Sequence, residues 1–347
     1  MNWKRILNFG KDQALGLDIG SSWVKIIRLR RDAAGYAVTA AGIAEISQSK
    51  EEGQDNRMET IRAIRKCVET AGAKTKLAVC GVCGPEVAVR EFEFPSLPAE
   101  EIEGAVLLEA SQVCPFNVEE GAVDWQLTAE VEGRTRGVLV AATNSLVRNT
   151  AQLAKDACLN SILMDVDGLA LLNYLSKCGE PEEIRTTAVL NVGASHTTLA
   201  VMGEDGRPFI RDMTYAGNDI IDRIATEKAI APETVREVLF SESRENASEL
   251  EASLERSSEQ LIAGVATTSR YYKTQAKSAA LDKLLVCGGF APVNGFVDLL
   301  NRRLAVEAVL WNPFETMRHD VDHAQELILE KNGPAMVVAA GLAMRSV

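Results

Sequence analysis

The stretch LGLDIGSSWVK, residues 15–25, decides the fold that we expect for this chain. It has the pattern of an apolar strand, a glycine–serine turn and a second strand. Gly20 lacks a Cβ atom, so the turn can be tight and its backbone N–H groups can approach an anion. Asp18 stands at the end of the first strand, where its carboxylate can hold a hydrated magnesium ion. The stretch therefore predicts a hairpin that binds phosphate.

Three further side chains of this hairpin favour the same chemistry. The hydroxyl groups of Ser21 and Ser22 add hydrogen-bond donors to the turn. Lys25 returns along the second strand as a positive charge directed toward the phosphates.

A second stretch of the same design, LNVGASHTT, covers residues 190–198. Its strand ends at Asn191 and Val192, and its turn contains Gly193, Ala194 and Ser195. One glycine–serine turn is weak evidence, because such turns are common and most bind nothing. Two turns of one plan, one in each half of the chain, predict a single phosphate site built from two hairpins.

A third element, Cys287-Gly288-Gly289-Phe290, follows an apolar strand. Two adjacent glycines allow the backbone to approach a flat ligand closely, as an adenine or a ribose requires. A lone pair of glycines is more often a plain turn, so this element gains weight only beside the two hairpins.

The composition limits the classes of function. The chain has 347 residues and a net charge of -12, which disfavours binding to nucleic acid because the phosphate backbone is repelled. Seven scattered cysteines indicate a reducing cytosol rather than a disulfide framework. The opening residues 1–12 have the spacing of a weak interfacial helix, although a frayed or docked turn is the simpler interpretation.

Hydrophobic periodicity predicts two α/β halves that begin in the same way, separated by a charged linker at residues 179–185. The predicted strands are Leu15–Ile19, Val24–Arg30, Tyr36–Ile46, Lys76–Val82, Glu86–Phe94, Trp125–Glu130, Gly137–Thr143, Ser161–Asp165, Thr187–Val192, Thr197–Met202, Pro208–Met213 and Lys283–Val286. The predicted helices are Arg57–Ala71, Ala99–Val113, Leu146–Ala157, Gly168–Lys177, a long helix ending near Ala280, Val293–Arg303 and Ala335–Met344.

Several other clusters of reactive residues have a simpler interpretation. Cys80 and Cys83 have the spacing of a redox or zinc pair, but burial on a strand explains them better. His319 and His323 have the i, i+4 spacing of a helical metal site, and a solvated helix is the simpler alternative. His196 either contacts phosphate or points to solvent.

The three glycine elements resemble the nucleotide motifs of the actin, heat-shock chaperone and sugar-kinase superfamily, and the whole chain resembles the type IV pilus assembly PilM family. The motifs that carry the second resemblance are LGLDIGSS at 15–22, CPF at 114–116 with DW at 124–125, MDVD at 164–167, WNPF at 311–314 and the closing segment from Gly333-Pro334 to Ala343. The resemblance implies an actin-like, ribonuclease H-like α/β fold of two lobes around a nucleotide cleft, with the α+β insert of PilM and FtsA. It implies a first lobe of residues 13–85, 158–180 and 333–347, an insert at 86–157, and a second lobe at 181–332 with an outer subdomain at about 218–280.

The resemblance also assigns residues to a site for ATP and Mg²⁺. The implied nucleotide-binding residues are Asp18, Gly20, Ser21, Ser22, Lys25, Asn191, Gly193, Ala194, Ser195, Gly217, Glu233, Arg236, Gly288, Gly289 and Phe290, with Asp219 at the start of the same helix as Gly217. Asp18 would hold magnesium through water, and Asp18 and Asp165 are the candidate catalytic residues. Asp167 is an alternative group for positioning water, although capping of a helix is its simpler role.

The second hairpin departs from the family pattern, in which an aspartate stands at the position of Asn191. An amide keeps a carbonyl oxygen but lacks the negative charge that orients magnesium-bound water. We therefore expect nucleotide binding with slow or negligible hydrolysis.

The implied function is a cytoplasmic scaffold, peripheral at the inner membrane, that binds the short N-terminal tail of PilN and contacts other inner-membrane and motor components of the pilus. The resemblance places that tail in a groove between the first lobe and the insert, with ATP biasing the groove. The alternatives are an FtsA-like cell-division scaffold and a phosphotransferase of the sugar-kinase type. The phosphotransferase requires a carboxylate base beside an acceptor pocket, and none stands out in the sequence.

Overall fold

The computed structural model describes residues 14–47, 56–131, 133–178, 186–203, 206–241, 250–276 and 281–345. The predictions for the opening segment 1–12 and for the linker 179–185 lie outside these residues. The chain forms two compact units. The first unit contains Met1–Val82, Arg148–Glu180 and Asn312–Val347, and the second contains Cys83–Val147 and Pro181–Trp311. Among the described helices, none combines the length and the apolar character needed to cross a bilayer.

The first unit is built on a six-stranded sheet with the order β14-β3-β2-β1-β4-β8. Its strands are β1 (Leu15–Ile19), β2 (Trp23–Asp32), β3 (Gly35–Glu45), β4 (Leu77–Val82), β8 (Asn160–Val166) and β14 (Arg318–His319). Its helices are α1 (Arg57–Ala71), α4 (Asp167–Cys178), α9 (His323–Asn332) and α10 (Val337–Ala343), with the C-terminal part of α3 (Asn144–Asp156). The sheet is mixed, since β1 is antiparallel to β2 and parallel to β4.

Within the first unit, helix α10 packs closely against β1 and α4 at two glycines. A Cβ atom on Gly16 of β1 would lie 1.8 Å from the carbonyl oxygen of Ala339. A Cβ atom on Gly341 of α10 would lie 1.9 Å from the carbonyl oxygen of Ala170 in α4. The backbone of α10 therefore lies against both β1 and α4, and this close approach supports the strand that leads to the first glycine turn.

Gln325 of α9 is a buried polar residue that satisfies the outer strand β3. Its Oε1 atom accepts a hydrogen bond of 2.9 Å from the N–H of Ala41. The N–H of Gln325 donates in turn to Asp322, which caps the helix. Strand β14 pairs with β3 only at Ala37 and Val38. The side chain of Gln325 thus accepts the N–H of Ala41, a backbone donor of β3 that lies beyond this short pairing.

We expect Gln325→Leu to lower the free energy of unfolding by about 1–3 kcal/mol, because it leaves the buried N–H of Ala41 unpaired. Urea denaturation followed by circular dichroism measures this change. Gln112→Leu, at an exposed position of α2 (Ala99–Val113), is the matched control and should stay within about 0.5 kcal/mol of the parent. Equal stability of the two variants would contradict the role given to Gln325.

The second unit contains a five-stranded sheet with the order β11-β10-β9-β12-β13. Its strands are β9 (Thr187–Val192), β10 (Thr197–Met202), β11 (Pro208–Met213), β12 (Lys283–Cys287) and β13 (Glu307–Leu310). The helices of this part are α5 (Gly217–Lys228), α6 (Pro232–Leu239), α7 (Glu251–Ala276) and α8 (Phe296–Arg303). A single apolar core joins the sheet to these helices.

A smaller layer of the second unit, here called the insert layer, consists of α2 and a three-stranded sheet with the order β5-β7-β6. Its strands are β5 (Val87–Pro95), β6 (Gly121–Val131) and β7 (Arg134–Thr143). Ile102, Val106 and Ala110 of α2 recur at helical spacing and pack with Phe92 and Leu139 into a core of their own.

Most predicted elements are confirmed, and α1, α2, β1, β9, β10 and β11 have the predicted bounds. Two predictions are wrong at the C-terminal end. The predicted helix Val293–Arg303 begins only at Phe296, because Gly295 adopts a left-handed φ of 76° immediately before it. The predicted final helix opens as a 3₁₀ turn, Gly333–Met336, before α10.

Candidate functional site

The first hairpin closes through the turn between β1 and β2. The N–H of Gly20 donates to the carbonyl oxygen of Trp23 at 3.0 Å, which makes the turn tight. A Cβ atom on Gly20 would lie 3.1 Å from Nζ of Lys25, so the ammonium group lies directly over the glycine. Ser21 is exposed and Ser22 is half-buried. The structure thus brings the cation, the glycine and the hydroxyl residues of this hairpin to one turn.

Asp18 and Lys25 face each other across the hairpin, since the register pairs Asp18 with Lys25. Nζ of Lys25 donates to Oδ2 of Asp18 at 3.0 Å, and the side chains of Lys25 and Asp18 are only 13% and 11% exposed. Removing either partner would leave a poorly hydrated charge, which is strongly unfavourable. The pair therefore holds the ammonium group at the turn.

Magnesium would meet few protein ligands here. In the described part of the chain, no group of three or more His, Cys, Asp or Glu side chains is arranged to hold a metal ion. Mg²⁺ commonly keeps several waters and binds through one or two carboxylates together with phosphate oxygens. Asp18 suits that mode, because only its Oδ2 atom is engaged by Lys25 in the hydrogen bonds described.

Asp165, the other candidate catalytic carboxylate, is the second-last residue of strand β8 and is buried. Nε of Arg345 lies 3.0 Å from its Oδ2 atom, an ion pair whose atoms are not aligned as a hydrogen bond. Burial raises the pKa of Asp165, and Arg345 and the N–H of Val166 oppose that rise. This carboxylate is held by an arginine and by its own strand.

Asp167 is the first residue of helix α4, and it is buried. Its Oδ1 atom would lie 2.2 Å from a Cβ atom on Gly81 of β4. Gly81 therefore makes room for this carboxylate within the first unit.

The second hairpin closes in the same way as the first. The N–H of Gly193 donates to the carbonyl oxygen of His196 at 2.9 Å. The carbonyl oxygens of Gly193 and Ala194 accept hydrogen bonds from the N–H groups of Gly217 and Asn218, at 3.0 and 2.8 Å. The turn is thus fixed to the start of α5. Asp219 steadies the same helix end by accepting a hydrogen bond of 2.9 Å from the N–H of Ala216.

The double glycine, Gly288-Gly289, packs against the second hairpin within the second unit. Gly288 has a left-handed φ of 97°, and a Cβ atom on it would lie 2.4 Å from the carbonyl oxygen of Val192. The N–H of Phe290 donates to that same oxygen at 3.0 Å. Both the backbone conformation and the lack of space exclude a side chain at position 288, so this turn requires glycine there.

Asn191 faces the double glycine. A Cβ atom on Gly288 would also lie 2.6 Å from Oδ1 of Asn191, and Sγ of Cys287 is 3.9 Å from that oxygen. The amide is therefore packed against the glycine turn of the same unit.

Phe290 is only 3% exposed. Its ring packs edge-on against Phe296, with centroids 5.1 Å apart, and covers Gly217. Its side chain thus belongs to the core and supports the loop from beneath. The exposed aromatic residue beside it is Phe240, whose ring centroid is 6.3 Å away and which no sequence motif singles out.

Glu233 and Arg236 lie on α6, one turn apart, and Glu233 is exposed. Nη2 of Arg236 donates to Oδ1 of Asn218 at 3.1 Å, which links α6 to the start of α5. Arg236 is therefore connected to the glycine turns through the start of α5.

Asp212 is a further polar residue of this region, and no sequence motif singles it out. It accepts hydrogen bonds from Oγ1 of Thr198 at 2.6 Å and from the N–H of Gly84 at 2.8 Å. Burial raises the pKa of Asp212, while these two hydrogen bonds and His196 lower it in part. The sequence gives no signal for this cluster, because Gly84 and Asp212 are 128 residues apart.

The i, i+4 spacing predicted that His319 and His323 share a helix, and this prediction is wrong. His319 ends the short strand β14 and His323 begins α9, so the spacing is not helical. Cys80 is buried in β4, and burial raises the pKa of its thiol, which disfavours a reactive thiolate.

The sequence profile of the family described as type IV pilus assembly protein PilM matches residues 16–347. The chain belongs to the PilM family. A solved "PilM-PilN type IV pilus biogenesis complex" aligns with a TM-score of 0.80 at 23% identity, covering 96% of this chain and 98% of that one.

Two more distant structures share the fold. The ethanolamine utilization protein EutJ from Carboxydothermus hydrogenoformans aligns with a TM-score of 0.56 at 14% identity, covering 95% of this chain and 89% of that one. A diol dehydratase-reactivating factor in nucleotide-free form aligns with a TM-score of 0.54 at 10% identity, covering 95% and 98%. The predicted family and the predicted actin-like fold are thus confirmed.

Proposed function

We propose that this member of the PilM family is an ATP-binding scaffold of pilus assembly that binds the cytoplasmic N-terminal tail of PilN. The observation that carries the nucleotide half of the proposal is the position of Lys25. Its ammonium group is held by Asp18 over a glycine turn, where a phosphate group would be attracted.

The second unit has a separate set of residues that suits a nucleotide. Its glycine turn, the start of α5 and the double glycine are joined by backbone hydrogen bonds. This is a rigid frame, and Arg236 adds a cation beside it. We propose that Gly193, Ala194 and Ser195 bind phosphate, and that Gly217, Glu233, Arg236 and the segment Gly288–Phe290 bind the nucleoside.

Magnesium would come with the nucleotide and would meet Asp18 through water. When bound, it would neutralise phosphate charge. Hydrolysis should be slow, because Asn191 lacks a charge to orient a water molecule and Asp165 is engaged by Arg345. This engagement also speaks against a phosphotransferase, which needs a carboxylate free to take a proton from the acceptor.

The partner half of the proposal rests on the family and on the solved complex of PilM with PilN. We propose that the PilN tail holds this protein at the cytoplasmic face of the inner membrane, where it contacts other pilus components. An FtsA-like scaffold of cell division is the competing function, and the family match favours pilus assembly.

One calorimetric series tests both halves. We expect ATP with Mg²⁺ to bind at micromolar to low-millimolar concentrations, and turnover to stay far below the roughly 1–1000 per second of typical enzymes. A synthetic peptide of the cognate PilN tail should bind, and ATP should change its affinity by a modest factor of about 5–150.

A scrambled peptide and inorganic pyrophosphate are the controls. The absence of any heat of binding with ATP at millimolar concentration would contradict the nucleotide half. Equal affinity for the tail and the scrambled peptide would contradict the partner half.

A further inference from the structure

The half-buried carboxylate of Asp212 links the insert layer to the second hairpin. Gly84 precedes β5, the first strand of the layer, and has a left-handed φ of 98°. Its N–H donates to Oδ2 of Asp212 at 2.8 Å, while Thr198 donates to Oδ1 at 2.6 Å. Thr198 follows the glycine turn directly, on β10. The carboxylate therefore bridges the entry to the insert layer and the strand that leaves the turn.

His196 makes a second connection at the same place. Its carbonyl oxygen closes the turn by accepting the N–H of Gly193. Its Nε2 atom lies 2.9 Å from the position that a Cβ atom on Gly84 would occupy. The imidazole of His196 thus packs against the backbone of Gly84, whose N–H binds Asp212. A side chain at position 84 would clash with the imidazole.

A third contact lies further along the same edge. Arg207, just before β11, forms an ion pair of 2.9 Å with Glu91 of β5. The N–H of Val87 donates to the carbonyl oxygen of Gly84 at 3.1 Å, which makes the entry turn rigid. Movement of the turn would therefore be passed to β5 through short contacts.

We infer that Asp212 and His196 couple the second glycine hairpin to the insert layer, so that nucleotide bound at the hairpin tightens the attachment of the layer. This inference rests on the nucleotide binding proposed above and names its regulatory consequence. Phosphate at the turn of Gly193–Ser195 fixes the next residue, His196. A fixed imidazole shields the hydrogen bond from Gly84 to Asp212 and lowers the rate at which it opens.

The simpler alternative is that Asp212 and His196 stabilise the attachment of the insert layer without any coupling to the nucleotide. It predicts the same protection of the Gly84 amide with and without nucleotide. Coupling predicts a difference between the two, so the nucleotide dependence of hydrogen exchange separates the alternatives.

The test is hydrogen–deuterium exchange of residues 83–95 in the full chain, with and without saturating ATP and Mg²⁺. In the parent protein we expect ATP to slow exchange of the Gly84 amide by about tenfold, within the usual range of coupling factors. His196→Ala and Asp212→Ala should both reduce this effect to less than twofold. Asp212→Asn, which keeps an acceptor for Gly84, should restore at least part of it.

Asp282→Ala is the matched control, because Asp282 also accepts a backbone N–H in this unit, from Thr186 at 3.1 Å. It should leave the ATP effect unchanged. The inference is overturned if ATP binds by calorimetry but does not alter exchange at Gly84, or if His196→Ala keeps the full effect. If calorimetry shows no ATP binding at all, the nucleotide half of the proposed function fails, and the inference fails with it. ATP binding without a change of exchange at Gly84 overturns the inference alone, so the two failures are distinguishable.

Discussion

Gly16→Ala should lower the free energy of unfolding by about 3 kcal/mol or more, because the new methyl group has no room. Its Cβ atom would lie 1.8 Å from the carbonyl oxygen of Ala339 and 2.6 Å from the backbone nitrogen of Ala343. Both are backbone atoms of α10 and cannot rotate away. The helix would have to move from β1, the strand that leads into the first glycine turn.

Chemical denaturation with circular dichroism gives the change. Gly104→Ala is the matched control, since Gly104 is on the exposed face of α2 and the added Cβ would meet no atom within 4 Å outside the nearby backbone of its own helix. That substitution should stabilise the chain by about 0.5–1 kcal/mol, because alanine favours a helix over glycine. If Gly16→Ala is tolerated as well as the control, α10 does not lie against β1 as described.

Lys25→Met should weaken ATP binding by at least tenfold while keeping the aliphatic part of the side chain. The substitution removes the cation over the Gly20 turn. It also leaves the mostly buried carboxylate of Asp18 without its partner, which we expect to cost about 2 kcal/mol of stability.

The double variant Asp18→Asn with Lys25→Met separates these effects. It removes the orphaned charge, so stability should return toward that of the parent while ATP affinity stays low. Lys66→Met, at an exposed position of α1, has the same change of charge and should alter neither quantity. Full ATP affinity in Lys25→Met would show that the first hairpin does not bind phosphate.

The sequence predicted the glycine hairpins because their chemistry is local. A strand, a glycine and a short polar turn are adjacent in the chain, and β1, β9 and β10 have the predicted bounds. The predicted helix at Val293 failed for a reason that is also local, since Gly295 takes a left-handed conformation that starts the helix later. Periodicity alone did not show which conformation that glycine would adopt.

The contacts of the candidate residues were not predictable in the same way. The sequence placed Phe290 at the nucleoside, and only the structure shows that its ring packs against Phe296 and Gly217 while Phe240 is the exposed aromatic residue beside it. Asp165 was a candidate for positioning water, yet it faces Arg345, 180 residues further along the chain. Such pairings depend on which elements pack together.

The sequence by itself determined the family, the actin-like fold and the two glycine turns, because each depends on residues that are close along the chain or on the order of elements. Only the tertiary structure decided that Asp212 holds Gly84, that Gln325 completes β3, and that Gly16 lies against α10. These contacts join residues more than 100 positions apart, and a buried polar group or a missing Cβ atom gains its meaning only from the partner that folding brings to it.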